Sequence, residues 1–387
     1  MNKEAEVYHG FEQGPIRPPS EAYSLLIRVT RNCPWNRCSF CPVYKGTKFS
    51  IRPVAHVIKD IDAVFNCITL LQQAMKEENA THLTQSGMDA VSEKISPQDI
   101  PAFQAAVHWL INDMESIFIQ DANSLVIKPE HLIQILKHLK TRFPLVKRIT
   151  SYARSETVAR ITDADIQAIS HAGLNRIHIG LESGCNQVLE RVHKGTTKDI
   201  HIKAGLKVKA AGMELSEYVI PGLGGMELSQ AHALETAATL NQINPHFIRL
   251  RTLALPDSLE LFEHVEAGKF QRCPELDTVK EILLLLENLD NITSTIKSDH
   301  ILNLFQEVEG TLPQDKEFMT GILKTFLAME PDDQVVYQLG RRLGIFTVLA
   351  DMQDTSRLAK VRQVYTQLQI TKDNVDEIIN DLTKRFI

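Results

Sequence analysis

Apolar residues fall in short runs along the chain, and each run gives way to a stretch with a different period. Residues 23–30, 116–121, 148–153, 176–182, 215–220 and 247–253 are of strand length and rich in β-branched or aromatic side chains. The segments between them carry helical spacing. Leu132, Ile133, Leu136 and Leu139 mark a helix over 130–141, and a second over 163–172 stops at Gly173, a residue suited to the left-handed end of a helix. Strands alternating with helices predict an α/β fold built on a parallel sheet. Six such units predict a partial (β/α)6 TIM-like barrel. A doubly wound open sheet would carry a glycine fingerprint after its first strand; cysteines stand there instead.

The same pattern divides the chain. Residues 1–20 read as an N-terminal extension, 21–262 as the core barrel and 263–387 as a C-terminal all-helical domain. In that last part apolar stripes recur at helical spacing, as in Val279, Ile282, Leu283 and Leu286, then Phe318, Ile322, Leu323 and Phe326, then Val375, Ile378, Ile379 and Leu382. Residues 54–115 are too long for one crossover helix, so a helical insertion is expected at about 75–112, with 79–101 as its loop-rich middle.

Candidate chemistry enters directly after the first apolar run. Cys33, Cys38 and Cys41 are spaced C-x4-C-x2-C, a soft-ligand cluster suited to iron–sulfur, zinc or cuprous ions. A structural zinc site takes four protein ligands, and the nearest histidines, His9 and His56, lie outside the loop. Three thiolates on a four-iron cluster would leave one iron open. The other three cysteines, Cys67, Cys185 and Cys273, are scattered singly, and nothing else indicates an oxidising compartment in which disulfides would form.

The stretch Arg31-Asn-Cys-Pro-Trp-Asn-Arg-Cys-Ser-Phe-Cys-Pro42 resembles the cluster loop of the radical S-adenosylmethionine (radical SAM) superfamily, with four residues rather than the commoner three between the first two cysteines. The resemblance implies that Cys33, Cys38 and Cys41 hold a [4Fe–4S] cluster whose open iron chelates SAM. It also places Phe40 near the adenine. A second stretch, Gly180-Leu-Glu182-Ser183-Gly184, resembles the Gly-x-Glu-Ser-Gly of the subgroup that includes methylthiotransferases and oxygen-independent coproporphyrinogen oxidase. There Glu182 and Ser183 would lie against SAM. The implied activity is reductive cleavage of SAM to a 5'-deoxyadenosyl radical that abstracts hydrogen from a small or medium-sized organic substrate.

In a barrel of βα units chemistry gathers at the C-terminal ends of the strands, so the remaining ends are the candidate ligand positions. The second end, Gln120-Asp121-Ala122-Asn123-Ser124, is expected to hold the methionyl ammonium, a group that needs acceptors, although the same residues also read as a turn before a helix. At the third, Arg154 is expected to pair with the SAM carboxylate, with a surface salt bridge as its rival. The fifth supplies Gly222 in a glycine-rich turn that the resemblance sets against the adenine. Arg249 and Arg251 share one face of the sixth. Lys194 stands in a lysine-glycine pair similar to one downstream of the Glu-Ser-Gly motif. Cys185 and Tyr152 are the candidates to donate a hydrogen atom or to form a link to an intermediate.

Charge sets limits on partners. The net charge is −6 over 387 residues and no basic run interleaves with aromatics, so nucleic acid is an unlikely partner on this reading. No apolar run approaches the ~20 residues that span a bilayer, and no charged-then-apolar leader is present. A cytoplasmic address and a one-electron reductant such as flavodoxin or ferredoxin are expected. Two other readings stay open: an RNA- or protein-modifying methyl or methylthio transferase, and a non-catalytic iron–sulfur carrier or zinc-binding scaffold.

Overall fold

The computed structural model describes residues 6–371 and 374–383. By its contacts the chain forms two compact units, one of Met1–Asn36, Val43–Ile179 and Lys207–Leu215, the other of Arg37–Pro42, Gly180–Leu206 and Ser216–Ile387.

The first unit holds strands β1 (Leu25–Arg28), β2 (Thr30–Arg31), β3 (Ser50–Ile51), β4 (Ser116–Gln120), β5 (Arg148–Ala153) and the start of β6 (Arg176–Glu182). Strands β1, β4, β5 and β6 pair in that order and are all parallel, with Leu26 opposite Phe118, Phe118 opposite Thr150 and Tyr152 opposite His178. The small ribbon of β2 and β3 is antiparallel. A 24-residue helix, Val54–Glu77, buries Val57, Ile61, Val64, Ile68 and Leu71 along one stripe. Helices Gln85–Ser92 and Ile100–Leu110 follow it, so the insertion expected between the first two long strands is helical. Trp109 is fully buried there and meets Phe143 edge to face at 5.0 Å.

The N-terminal segment of this unit is held by charge. Glu12 accepts from Arg28 and Arg31 and lies 3.3 Å from the buried Arg52, which pairs with the buried Asp60 at 2.6 Å. Tyr8 also donates to Asp60, at 2.9 Å. Because Arg52 and Asp60 are removed from water, each needs the other to offset its desolvation.

The second unit holds β7 (Glu214–Val219, which enters from the first unit at its start), β8 (Phe247–Leu250), β9 (Thr295–Lys297) and β10 (Gly310–Thr311). Strands β7, β8 and β9 are parallel neighbours, and β10 closes the row antiparallel to β9. Helix Gly225–Ile243 packs on helix Glu275–Glu287, and the latter on Lys316–Leu327. Helices Pro331–Arg342, Thr355–Gln367 and Val375–Thr383 follow in the chain. Six strands expected from the apolar runs are present and the architecture is a mostly parallel α/β sheet with helices. The expectation of an all-helical segment beyond residue 262 is corrected by β9 and β10, which at three and two residues are too short to show a period of their own.

No helix among the described residues is long and apolar enough to cross a membrane. Replacing Trp109 by alanine should lower stability by about 3–5 kcal/mol, the range for removing a large buried aromatic. Urea unfolding followed by far-UV circular dichroism would measure it.

Candidate active site

The cysteine loop runs from the first unit into the second, and each arm is fixed within its own unit. In the first, Asn32 donates its backbone N–H to Asp121 Oδ2 at 3.1 Å, so the residue before Cys33 is tied to the end of β4. Asp121 is buried. Its Oδ2 also accepts from Arg28 at 2.7 Å and its Oδ1 from the Tyr44 hydroxyl. Cys33 Sγ accepts the backbone N–H of Asn36 at 3.4 Å, the kind of hydrogen bond that stabilises a ligating thiolate. In the second unit Ser39 donates its N–H to Val192 O and accepts from Leu261 N, which fixes the backbone between Cys38 and Cys41. All three cysteines are free thiols, and their donor chemistry fits an iron–sulfur cluster. Among the described residues no three Cys, His, Asp or Glu side chains are gathered into a ready metal-binding group.

Other residues at these strand ends are already engaged. Gln120 accepts from Gly14 N at 2.7 Å and donates to Gly14 O and Ile16 O, so it reads the backbone of the N-terminal segment. Asn123 accepts from Arg154 N and donates to Thr157 Oγ1, and Ser124 donates back to Ile119 O. Arg154 places its guanidinium 5.2 Å from the centre of the Trp35 ring, a cation–π contact with the cysteine loop, and reaches Glu156 at only 3.8 Å. Tyr152 lies inside a ring cluster, 5.1 Å from Phe118 and 5.6 Å from His178.

The second unit brings Glu182 and Lys194 together. Lys194 Nζ donates to Glu182 Oε1 at 2.8 Å and stands 5.9 Å from the centre of the Phe40 ring. A Cβ at Gly180 would meet Glu182 Oε1 at 2.1 Å and Lys194 Nζ at 3.0 Å, so the ion pair occupies the space a side chain there would fill. Glu182 has φ 63°, a left-handed backbone rare for any residue with a side chain. Ser183 is buried, shares a 2.8 Å hydrogen bond with His232 Nδ1 and accepts from Cys185 N. Gly184 sits where a Cβ would come within 2.4 Å of Glu235 O, the backbone of the packed helix. Cys185 is fully buried beside Val188, Val192, Leu223 and Phe270, and burial pushes its thiol up. Gly222, at φ 85°, donates its N–H to the buried Glu281 at 2.7 Å. Arg249 and Arg251 both pair with Asp299, at 2.9 and 2.7 Å. Beside them His300 is brought down to about 4, chiefly by burial.

Sequence reasoning missed Glu217. It is completely buried in β7 with neither carboxylate oxygen hydrogen-bonded. Burial first, and the Glu182 carboxylate next, hold its proton on far above the usual glutamate range, against the pull of Lys194. The available signal was a lone acid in a strand whose neighbours are otherwise expected inside. In the unfolded chain this proton leaves near 4.5, while the folded chain keeps it. The contribution of Glu217 to stability is therefore full below that pH and falls as pH rises through the higher folded value. Glu217→Gln removes the effect, so the stability advantage of this variant over the wild type should grow with pH from 5 to 8 in urea unfolding.

No protein-family model matches the chain. Over 290 residues it is 21% identical to tRNA uridine(34) acetyltransferase from Methanocaldococcus jannaschii, a match that covers 69% of this chain and 49% of the relative. The chain thus spans about half the length of that relative. Among solved structures it is similar to coproporphyrinogen III oxidase (HemN) from Escherichia coli, described as a radical SAM enzyme, with a TM-score of 0.44, 14% identity and coverage of 69% of this chain and 52% of the other. A second is the cobalamin-dependent S-adenosylmethionine radical enzyme OxsB with aqua-cobalamin and S-adenosylmethionine bound, at a TM-score of 0.45, 15% identity and coverage of 92% and 57%. Both of these solved structures are named as S-adenosylmethionine radical enzymes.

Proposed function

We propose that the chain is a radical SAM enzyme that acts on a small or medium-sized organic substrate, with Cys33, Cys38 and Cys41 as the ligands of a [4Fe–4S] cluster. The observation that carries this reading is the C-x4-C-x2-C spacing of three free cysteines in the 31–42 stretch, with Asn32 beside Cys33 tied to Asp121. When bound, the cluster and SAM supply a 5'-deoxyadenosyl radical by one-electron reduction, with flavodoxin or ferredoxin as the class of donor and the cytoplasm as the setting.

The protein's own residues bind and orient. Glu182 is the proposed acceptor for the ribose hydroxyls, and Lys194 holds its Oε1 at 2.8 Å. Ser183 and Gly222 supply backbone at the same strand ends, and Phe40 supplies an apolar wall. Gln120, Asp121, Asn123 and Ser124 act one step back, as positioning residues, because their polar atoms already hold the N-terminal segment, the cysteine loop and the β4 turn. Arg154, stacked on Trp35, steadies the same loop. Cys185 is packed as a small hydrophobe in an apolar cluster, and Tyr152 in a ring cluster with Phe118 and His178.

Anaerobic reconstitution with iron and sulfide, then addition of SAM and dithionite, should yield 5'-deoxyadenosine above a Cys33/Cys38/Cys41→Ala control. Glu182→Gln should keep the cluster absorbance and weaken SAM binding about tenfold or more, since a hydrogen bond to a charged group is worth about 1.5–3 kcal/mol. Normal SAM affinity in that variant would remove Glu182 from the site.

A second reading has one specific support, the relative named a tRNA uridine(34) acetyltransferase. It sets a transfer RNA against the expectation of no nucleic-acid partner. Mobility shift with bulk tRNA at 50 and 200 mM salt decides it: micromolar binding that weakens steeply with salt favours RNA, and none at low salt retires it.

A further inference from the structure

Just past the ends of β7 and β8 the second unit holds a partly open cavity of about 130 Å³ that shares Gly222 with the site proposed above and is otherwise lined by residues without a role there. Its wall includes Gly222, Thr252, Arg272 and Arg342, and helix Val375–Thr383 contributes Asp376 and Asn380. The space is roughly that of several water molecules, enough for a small organic ligand.

The charges around it are unevenly satisfied. Arg342 is buried, with Nε and Nη2 held by Glu275 and Nη2 also by Leu302 O. Arg272 is half-buried and makes no hydrogen bond or ion pair among the described residues, and burial weakens its hold on its proton. Asp376 stands at the exposed rim, likewise without a hydrogen bond or ion pair, and the two do not pair with each other although they line one cavity. Glu275 and Asp376 act on Arg272 through space without a hydrogen bond, so its donors stay open, and a planar fork of donors is matched by a carboxylate. An acceptor at the mouth suits a ligand that also carries a donor. Asn380 and Thr252 add neutral polar contacts between them.

We propose that this cavity binds a small zwitterion of amino-acid type, its carboxylate against Arg272 and its ammonium toward Asp376. The position beside the strand ends makes that ligand the substrate class of the enzyme, and to that extent the inference rests on the function proposed above. The binding claim itself does not.

The test uses the full-length reconstituted protein. Single α-amino acids, acetate and methylamine are added at millimolar concentration and thermal unfolding is followed. At least one amino acid should raise the melting temperature by about 2 °C or more, and acetate or methylamine alone should not. Arg272→Met and Asp376→Asn should each abolish the rise, while Arg272→Lys keeps part of it and shows that the fold survives. The proposal is overturned by any of three results: no amino acid acts, the rise persists in both variants, or acetate alone reproduces it in an Arg272-dependent way. 5'-Deoxyadenosine is measured on the same samples. If it forms while no amino acid binds, the cavity assignment fails and the radical reading stands; binding without it gives the reverse.

Discussion

A carboxylate withdrawn from water must find donors, and in this protein that requirement fixes the strand ends. Asp121 gathers Arg28, Asn32 N–H and the Tyr44 hydroxyl after β4. Glu182 takes Lys194 at the end of β6. Glu281 receives the N–H of Gly222 after β7, and Asp299 bridges Arg249 within β8 and Arg251 just after it. A parallel sheet presents its catalytic loops at one edge, and irregular backbone there has few partners of its own. Asp121 and Glu281 each take one such backbone N–H, from Asn32 and from Gly222. In the second unit the loops are held both by these hydrogen bonds and by a buried apolar cluster that includes Leu223, Leu253, Leu255 and Phe270.

The same logic separates the two roles a polar strand-end residue can have. A side chain whose every acceptor is taken by its own chain builds the site; one with a free oxygen is available to a ligand. Gln120 and Asp121 belong to the first kind. Glu182 is of the second, because only Oε1 is held by the lysine.

How much of this was legible depended on distance along the chain. The strands stood out because β-branched runs such as Arg148–Ala153 encode burial locally. The cysteine loop and the Gly180 to Gly184 motif were legible because the residues that act together are adjacent. Asp121 was legible as a polar strand end but not in its role, since its partners Arg28 and Asn32 lie about ninety residues earlier. Glu217 was passed over because alternation alone does not say which side of a strand meets a second carboxylate. Strands β9 and β10 were invisible at their length, and Arg272 and Asp376 meet only because a helix a hundred residues later returns to the turn.

The left-handed backbone of Glu182 has a consequence for how the motif evolves. A residue with a side chain pays roughly 1–2 kcal/mol for that conformation, so glycine or asparagine would be the conformationally easier choice at position 182. The backbone turns the carboxylate back over Gly180 before anything binds, which leaves its direction independent of rotamer choice by a ligand. Position 180 and position 182 are therefore a single unit of selection: a side chain gained at the first would displace the acid at the second, and neither can drift alone.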